Sequence, residues 1–278
     1  MAVLLALLTA CTYGTADWLG GRATRHLPAM VVTFVGQLAG LVILGVAAFT
    51  SGIPVPGASD WMWSALAGLA GSTGLLAFYT AMSSGHMTVV APVTAVMNAS
   101  IPLVVGFAIG ERPAVWAVVG VVLALVAIAL ISDVLGPGHH RAPSRVVMLG
   151  AAGGAAFGLI LVFLHRTGDG TGVWPVLIMR LVSTPFMLLL IAATRPSFAG
   201  VRERRVFVLG SGVLDSLANW FYVLAVREGL LSVVSVIVTL YPAATMVLAI
   251  GIDRERVHRS QLLGIALAGA ALTMIVLS

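Results

Sequence analysis

The stretch 5-LALLTACTYGTADWLGGR-22 admits three readings, and the choice among them decides the fold. Leu8-Thr9-Ala10-Cys11 has the shape of a lipoprotein cleavage box. The whole run has the apolar length of a secretory signal. It also has the length of a first membrane span, and then Asp17 sits inside an apolar helix and needs a reason to be there.

Composition bears on the choice. Of 278 residues 60% are hydrophobic and 9% are charged, and the mean hydropathy is +1.08. A soluble domain carries about 25% charged residues, so this chain is read as an all-α integral membrane protein of a cell membrane, with a bacterial plasma membrane the expected setting. The net charge of +5 comes from 15 arginines and no lysine. They lie singly or in short clusters between apolar runs, which fits loops bordering a bilayer and not a phosphate-binding face. Nucleic acid is therefore not an expected partner; membrane lipids are. The one cysteine excludes an internal disulfide, and no Cys/His spacing of a metal site occurs. No cofactor is expected.

A secretory signal needs a basic stretch ahead of its apolar run, and here only Met1 and Ala2 precede it. Apolar runs also continue to residue 278, so cleavage would leave as membranous a protein as before. Cys11 is then expected to be a small packing residue. With charges as markers and about 20 apolar residues per crossing, the chain divides into ten spans with short connections. Ser51-Gly52-Ile53-Pro54-Val55-Pro56-Gly57 and Ser83-Ser84-Gly85-His86 mark two of the breaks. The most loop-like segment is 133-DVLGPGHHRAPSR-145; its His139-His140 pair lacks further ligands and reads as polar loop.

That linker sits near the midpoint, between expected repeats 1–132 and 146–278. A shift of 144 positions aligns the halves without a gap. Gly85 meets Gly229, Val89-Val90 meets Val233-Val234, and Gly68 and Ser72 meet Gly212 and Ser216. Glu111-Arg112 meets Glu255-Arg256, a match that is informative because charges are scarce. The opening stretch meets 149-LGAAGGAAFGLILVFLHR-166, with Tyr13-Gly14 on Phe157-Gly158. A signal peptide has no place in mid-chain, so 5–22 is read as a true span. Five crossings per half is odd, and the second half is then upside-down relative to the first. Inverted repeats of this kind are a transporter architecture, with the solute site near the bilayer midplane and alternating access by rocking of one bundle against the other.

Two five-span units, each with an aromatic-Gly near its start and a Glu-Arg between its last two helices, resemble the EamA family of the drug/metabolite transporter superfamily. The matching residues are Tyr13-Gly14, Gly85…Val89-Val90-Ala91-Pro92, Gly110-Glu111-Arg112-Pro113 and Arg180, and the likeness covers essentially the whole chain. It implies a secondary transporter, an exporter of an amino acid, a metabolite or a drug. Val257 stands where the first copy has Pro113, and Gly36-Gln37 where Arg180 predicts a basic residue, so the halves are expected to serve a site unequally.

An ionisable residue inside a span costs about 2.5–3.5 kcal/mol and usually faces a cavity or a partner. Asp17 either serves a site, carrying a proton or a cationic part of the substrate, or pairs with Arg22 or Arg25 at the span end. Proton coupling through Asp17 or Asp215 is a hypothesis from their position alone. Arg180 suits a substrate carboxylate or phosphate, and its structural alternative is a pair with Asp215. Asp215 and Asn219, four apart, share one face of the eighth span. Tyr13, Tyr79, Tyr222 and Tyr241 are candidates for a pocket wall, each equally a packing or interface residue. Gln37 joins them by its place opposite Arg180 in the repeat. Asn98 lies between Pro92 and Pro102, in a span expected to kink and free carbonyls toward a cavity; Pro242 predicts a similar bend in the ninth span. Gly36-xxx-Gly40, Gly106-xxx-Gly110 and Gly154-xxx-Gly158 are expected to mark close helix contacts.

Two other function classes remain at this point. A membrane enzyme needs a carboxylate cluster or a His-Glu-x-x-His set, and the ten acids are scattered. A receptor or assembly factor without transport usually adds a soluble domain. Topology also has two readings. Eleven arginines border one face against three on the other, which puts both termini outside by the positive-inside tendency, whereas the family resemblance puts them in the cytoplasm.

Overall fold

A computed structural model of the chain describes residues 1–82, 87–131, 143–254 and 258–277. Every regular element among them is a helix: α1 (Ala2–Thr24), α2 (Ala29–Thr50), α3 (Ala58–Met82), α4 (Met87–Ala108), α5 (Val115–Ile131), α6 (Ser144–His165), α7 (Trp174–Thr194), α8 (Arg205–Arg227), α9 (Leu231–Val238), α10 (Tyr241–Gly251) and α11 (Arg259–Val276). Eight helical stretches are long and apolar enough to cross a membrane, with α9 and α10 counted together, and Val93–Ala108 and Val115–Ile131 are shorter apolar helices. In hydrocarbon each backbone N–H and C=O must be satisfied within the segment, and the helix does that locally. The protein is a multi-pass integral membrane protein with a two-repeat helical architecture. The loop histidines His139-His140 and the second Glu-Arg pair, Glu255-Arg256, fall outside the described residues.

Helix ends follow local chemistry. Pro28 and Pro143 precede α2 and α6, where the fixed φ and missing N–H cost a helix start nothing. Gly110 adopts φ 95°, so the chain leaves α4 through a conformation that side chains disfavour. This corrects the expectation for Gly106-xxx-Gly110: Gly110 ends a helix and has no neighbour where a Cβ would stand, whereas Gly106 does pack on Ser232. The ninth span breaks as Pro242 predicts. Pro242 supplies no N–H for the carbonyl of Val238, and the chain passes from α9 to α10 through Thr239 and Leu240. In α4, by contrast, the helix is continuous from Met87 to Ala108 despite Pro92 and Pro102.

Small residues set the packing. Gly36 lies against Gly212, and Gly40 against Ser216, so α2 and α8 run side by side in the same direction. Gly74 meets Ala156 and Phe157, Gly71 meets Ile160, and Asp60 accepts the backbone N–H of Gly168 at 2.7 Å. As numbers fall along α3 they rise along α6, so these two are antiparallel. Gly210 meets Leu19 and Gly229 meets Ala2, which makes α1 and α8 antiparallel as well. Gly154 and Gly158 seat α6 on α4 at Thr94 and Ile101. The partnerships exchange between halves: α1 with α8 answers α6 with α3, and α2 with α8 answers α7 with α3. Lipid gives no hydrophobic push between helices, so close approach at glycine is what joins them. The outer faces carry Val42, Val46, Phe49, Leu188 and Leu189, all exposed. Cys11 is exposed too and fills no packing role.

Candidate functional site

Between the halves lies a cavity of about 420 Å³, within the ~300–1,000 Å³ usual for small-molecule sites. On α1 its wall runs from Tyr13 to Thr24, the last residue of the helix, and on α2 from Val32 to Gln37. It therefore reaches one end of the bundle. At ~1.5 Å per residue the wall on α1 is about 16 Å deep, and a similar length of α1 lies beyond its floor. The floor is at half depth. Past it the bundle is closed by apolar packing around Leu164, Val226 and Leu231, and by Arg227, which donates to the Gly168 carbonyl at 2.8 Å and to Thr171 Oγ1 at 2.6 Å.

The wall is built from equivalent positions of the two repeats. Tyr13 and Phe157, Gly68 and Gly212, and Ala16 and Ile160 all line it, each pair 144 residues apart. The polar members break the symmetry. Asp17 answers to Leu161, Arg180 to Gly36, Asp215 to Gly71 and Asn219 to Leu75, and all eight line the cavity. Each charged group thus has a small or apolar counterpart, which gives a long side chain room to reach the axis between the halves.

Of the sequence candidates, Tyr13, Asp17, Gln37, Asn98, Arg180, Asp215, Asn219 and Tyr241 line this one cavity. Arg180 is 7% exposed, and its Nη2 donates to Asp215 Oδ2 in an ion pair. The cavity position and the pair hold together: the carboxylate stays 41% exposed while the guanidinium is covered. Asn219 Nδ2 donates to the Asp215 carbonyl at 2.8 Å, one turn back on α8. The rings of Tyr13 and Tyr241 stand 6.0 Å apart at the join of α1 and α10.

Asp17 does not pair with Arg22 or Arg25. Both turn to Asp253, at 3.3 and 3.8 Å, where Trp18 Nε1 also donates at 3.0 Å. Asp253 outcompetes Asp17 because it lies beyond α10, level with the end of α1, whereas Asp17 faces inward. Asp17 is exposed to the cavity and has no hydrogen bond or ion pair among the described residues.

Tyr222 does not line the cavity. It is fully buried, its hydroxyl bonding to the Leu161 carbonyl at 2.8 Å and lying 3.2 Å from Ser235 Oγ. The Tyr79 side chain lies outside the described residues. Ser183, Ser211 and Thr239 line the cavity without having been singled out. Ser183 had a signal, one turn after Arg180; Ser211 and Thr239 had none, because serine and threonine bond back to helix carbonyls in any span, as Ser211 does to Val208 at 3.0 Å. Among the described residues no three His, Cys, Asp or Glu side chains gather as metal ligands.

The model of the EamA-like transporter family matches twice, over residues 1–133 and 144–277. No curated protein matches the sequence. A solved crystal structure, whose description names no function, superposes with a TM-score of 0.82 at 17% identity, covering 99% of this chain and 96% of that one. At that identity the likeness concerns the fold alone. Two family matches that together span nearly the whole chain carry the assignment: this protein is a member of the EamA-like transporter family.

Proposed function

We propose that the protein is a secondary transporter that exports a small metabolite, amino acid or drug by alternating access, working in a bacterial plasma membrane. The observation that carries the reading is the cavity: open at one end of the bundle, floored at half depth, and walled by the same positions of both repeats. The copies are read as inverted. With α1, α2 and α3 taken as consecutive crossings, α3 runs with α1; α6 is antiparallel to α3 and therefore opposed to α1. A twofold axis in the membrane plane would convert the open end into the closed one by exchanging the roles of the halves.

The glycine contacts Gly36–Gly212 and Gly68–Met179 give such an exchange low-friction seams. Export is supported by the arginines at the open end, Arg22, Arg25, Arg195, Arg204 and Arg259 among them, because basic loops favour the cytoplasmic side. That placement has the cavity loading from the cytoplasm.

Purified protein in liposomes loaded with a pooled set of labelled metabolites tests the reading. Protein-dependent, saturable flux of at least one solute is expected. Binding without flux would place the protein among receptors instead.

A further inference from the structure

Among the described residues the charges on the cavity wall are three: Asp17, Asp215 and Arg180. Arg180 and Asp215 neutralise one another in their ion pair. Asp17 is left over, so the chamber carries a net charge of −1 with both acids ionised. One turn of α1 before Asp17 stands Tyr13, with the Tyr241 ring 6.0 Å from its own. Gln37 and Asn98, both lining residues, leave their amide oxygens buried without a donor. A carboxylate without a partner, two aromatic rings and two acceptors wanting N–H describe the complement of an ammonium on an apolar body. The ammonium brings three donors and one positive charge, and aromatic faces attract cations.

We infer that the cavity binds an organic monocation, an amine with an aromatic or branched apolar body, with its ammonium at Asp17. This rests on reading the cavity as the substrate chamber. A zwitterion would balance Asp17 only by bringing a carboxylate. The one cation on the wall among the described residues, Arg180, already has its charge met by Asp215 and offers only its buried Nε. An anion would meet net repulsion. The arginines at the open end do not reverse this preference. Among the described residues none of them lines the chamber, and Arg22 and Arg25 are held by Asp253.

Three probes share a phenyl body and differ in charge: 2-phenylethylamine (cation), phenylalanine (zwitterion) and 3-phenylpropionate (anion). Their saturable binding to the full chain in lipid nanodiscs is measured by equilibrium dialysis. The amine is expected to bind about tenfold or more tighter than either other probe, an effect of the size one charge pair gives in a partly screened site. Asp17→Asn is expected to remove that advantage, and Asp17→Glu to keep most of it, which separates lost charge from lost folding.

Equal or reversed affinities, absence of saturable amine binding, or an Asp17→Asn variant that binds the amine like the parent would each overturn the inference. The wild-type series decides even if the variants fail to fold. Counterflow of the same probes in liposomes separates the two readings. Movement of the anion or zwitterion alone sinks the cation site and keeps the transporter; amine binding without movement does the reverse.

Discussion

Glu111 ties the first repeat to the second through the first turn of α9: its carboxylate accepts the backbone N–H of Leu231 at 2.6 Å and that of Ser232 at 2.9 Å. The first turn of any helix leaves N–H groups unsatisfied and carries partial positive charge, so a carboxylate there is worth more than a neutral acceptor. The tie spans 120 positions of sequence. It fixes the start of α9, and the break that follows α9 in the same span, at Val238 and Thr239, meets the cavity.

Replacing Glu111 with Gln keeps a hydrogen-bond acceptor and removes the charge. The expected cost is about 1 kcal/mol, in the range of helix caps and helix-end charges. Thermal denaturation in detergent should show a midpoint lowered by a few degrees. Hydrogen exchange at Leu231 and Ser232 should rise more than at α7.

The Arg180–Asp215 pair predicts a non-additive cycle. Arg180→Gln strands a carboxylate facing the cavity, and Asp215→Asn strands a guanidinium that is 9% exposed. The second loss is the greater, because the covered partner has less water to fall back on. Breaking a fully buried pair costs about 3–5 kcal/mol; with Asp215 partly exposed, about 1–2 kcal/mol is expected for Arg180→Gln and about 2–3 kcal/mol for Asp215→Asn. The double variant should recover at least about 1 kcal/mol relative to the sum of the singles, read from unfolding midpoints.

Gly14 is a packing point between the halves. A Cβ there would stand 2.6 Å from Ala244 Cβ and 2.7 Å from the Tyr241 carbonyl, and Thr245 Oγ1 donates to the Gly14 carbonyl at 3.1 Å. Gly14→Val should therefore push α10 off α1 and cost about 1–3 kcal/mol, as overpacking does. Gly21→Val, on the same helix with open space around it, is the control and should unfold within a degree or two of the parent.

Asp253 gathers Arg22, Arg25 and Trp18 at the open end of the cavity. Asp253→Asn keeps a hydrogen bond for the indole and removes the ion pairs of Arg22 and Arg25 with this carboxylate. The Asp253 side chain is 6% exposed and its arginines 35% and 53%. A loss between the about 0–1 kcal/mol of surface pairs and the about 3–5 kcal/mol of buried ones is therefore expected, with the ion-pair part shrinking in high salt. A cost that does not change between low and high salt would show that the indole bond, not the ion pairs, is what matters.

The repeat was legible in the sequence because its evidence is additive: Glu111-Arg112 against Glu255-Arg256, and Tyr13-Gly14 against Phe157-Gly158, share one offset. Intramembrane charge was legible for the same reason that it is rare, since Asp17, Arg180 and Asp215 stand out in apolar helices. The break in the ninth span followed from Pro242, which lacks an N–H whatever surrounds it. Partners were not legible. Asp253 takes Arg22 and Arg25 away from Asp17, though it is 231 positions from Arg22 in the numbering and the two acids look alike locally. Tyr222 resembles Tyr241 in type and setting, yet the turn of α8 sends its hydroxyl to the Leu161 carbonyl. Glu111 stood inside a recognised motif, but nothing local says that its carboxylate caps the start of α9.

Alternating access makes one demand that a fixed pocket does not: the chamber must open to each face of the membrane in turn. Leu75 lines it and is partly exposed, so Leu75→Cys puts a thiol on the chamber wall. With the single native cysteine removed as Cys11→Ser, the decisive measurement is modification of that thiol by a membrane-impermeant maleimide applied to sided vesicles from one face and then, separately, from the other. Reaction from both faces of vesicles that remain sealed to the reagent is the predicted result. Reaction from one face only, under every solute condition tried, would contradict it.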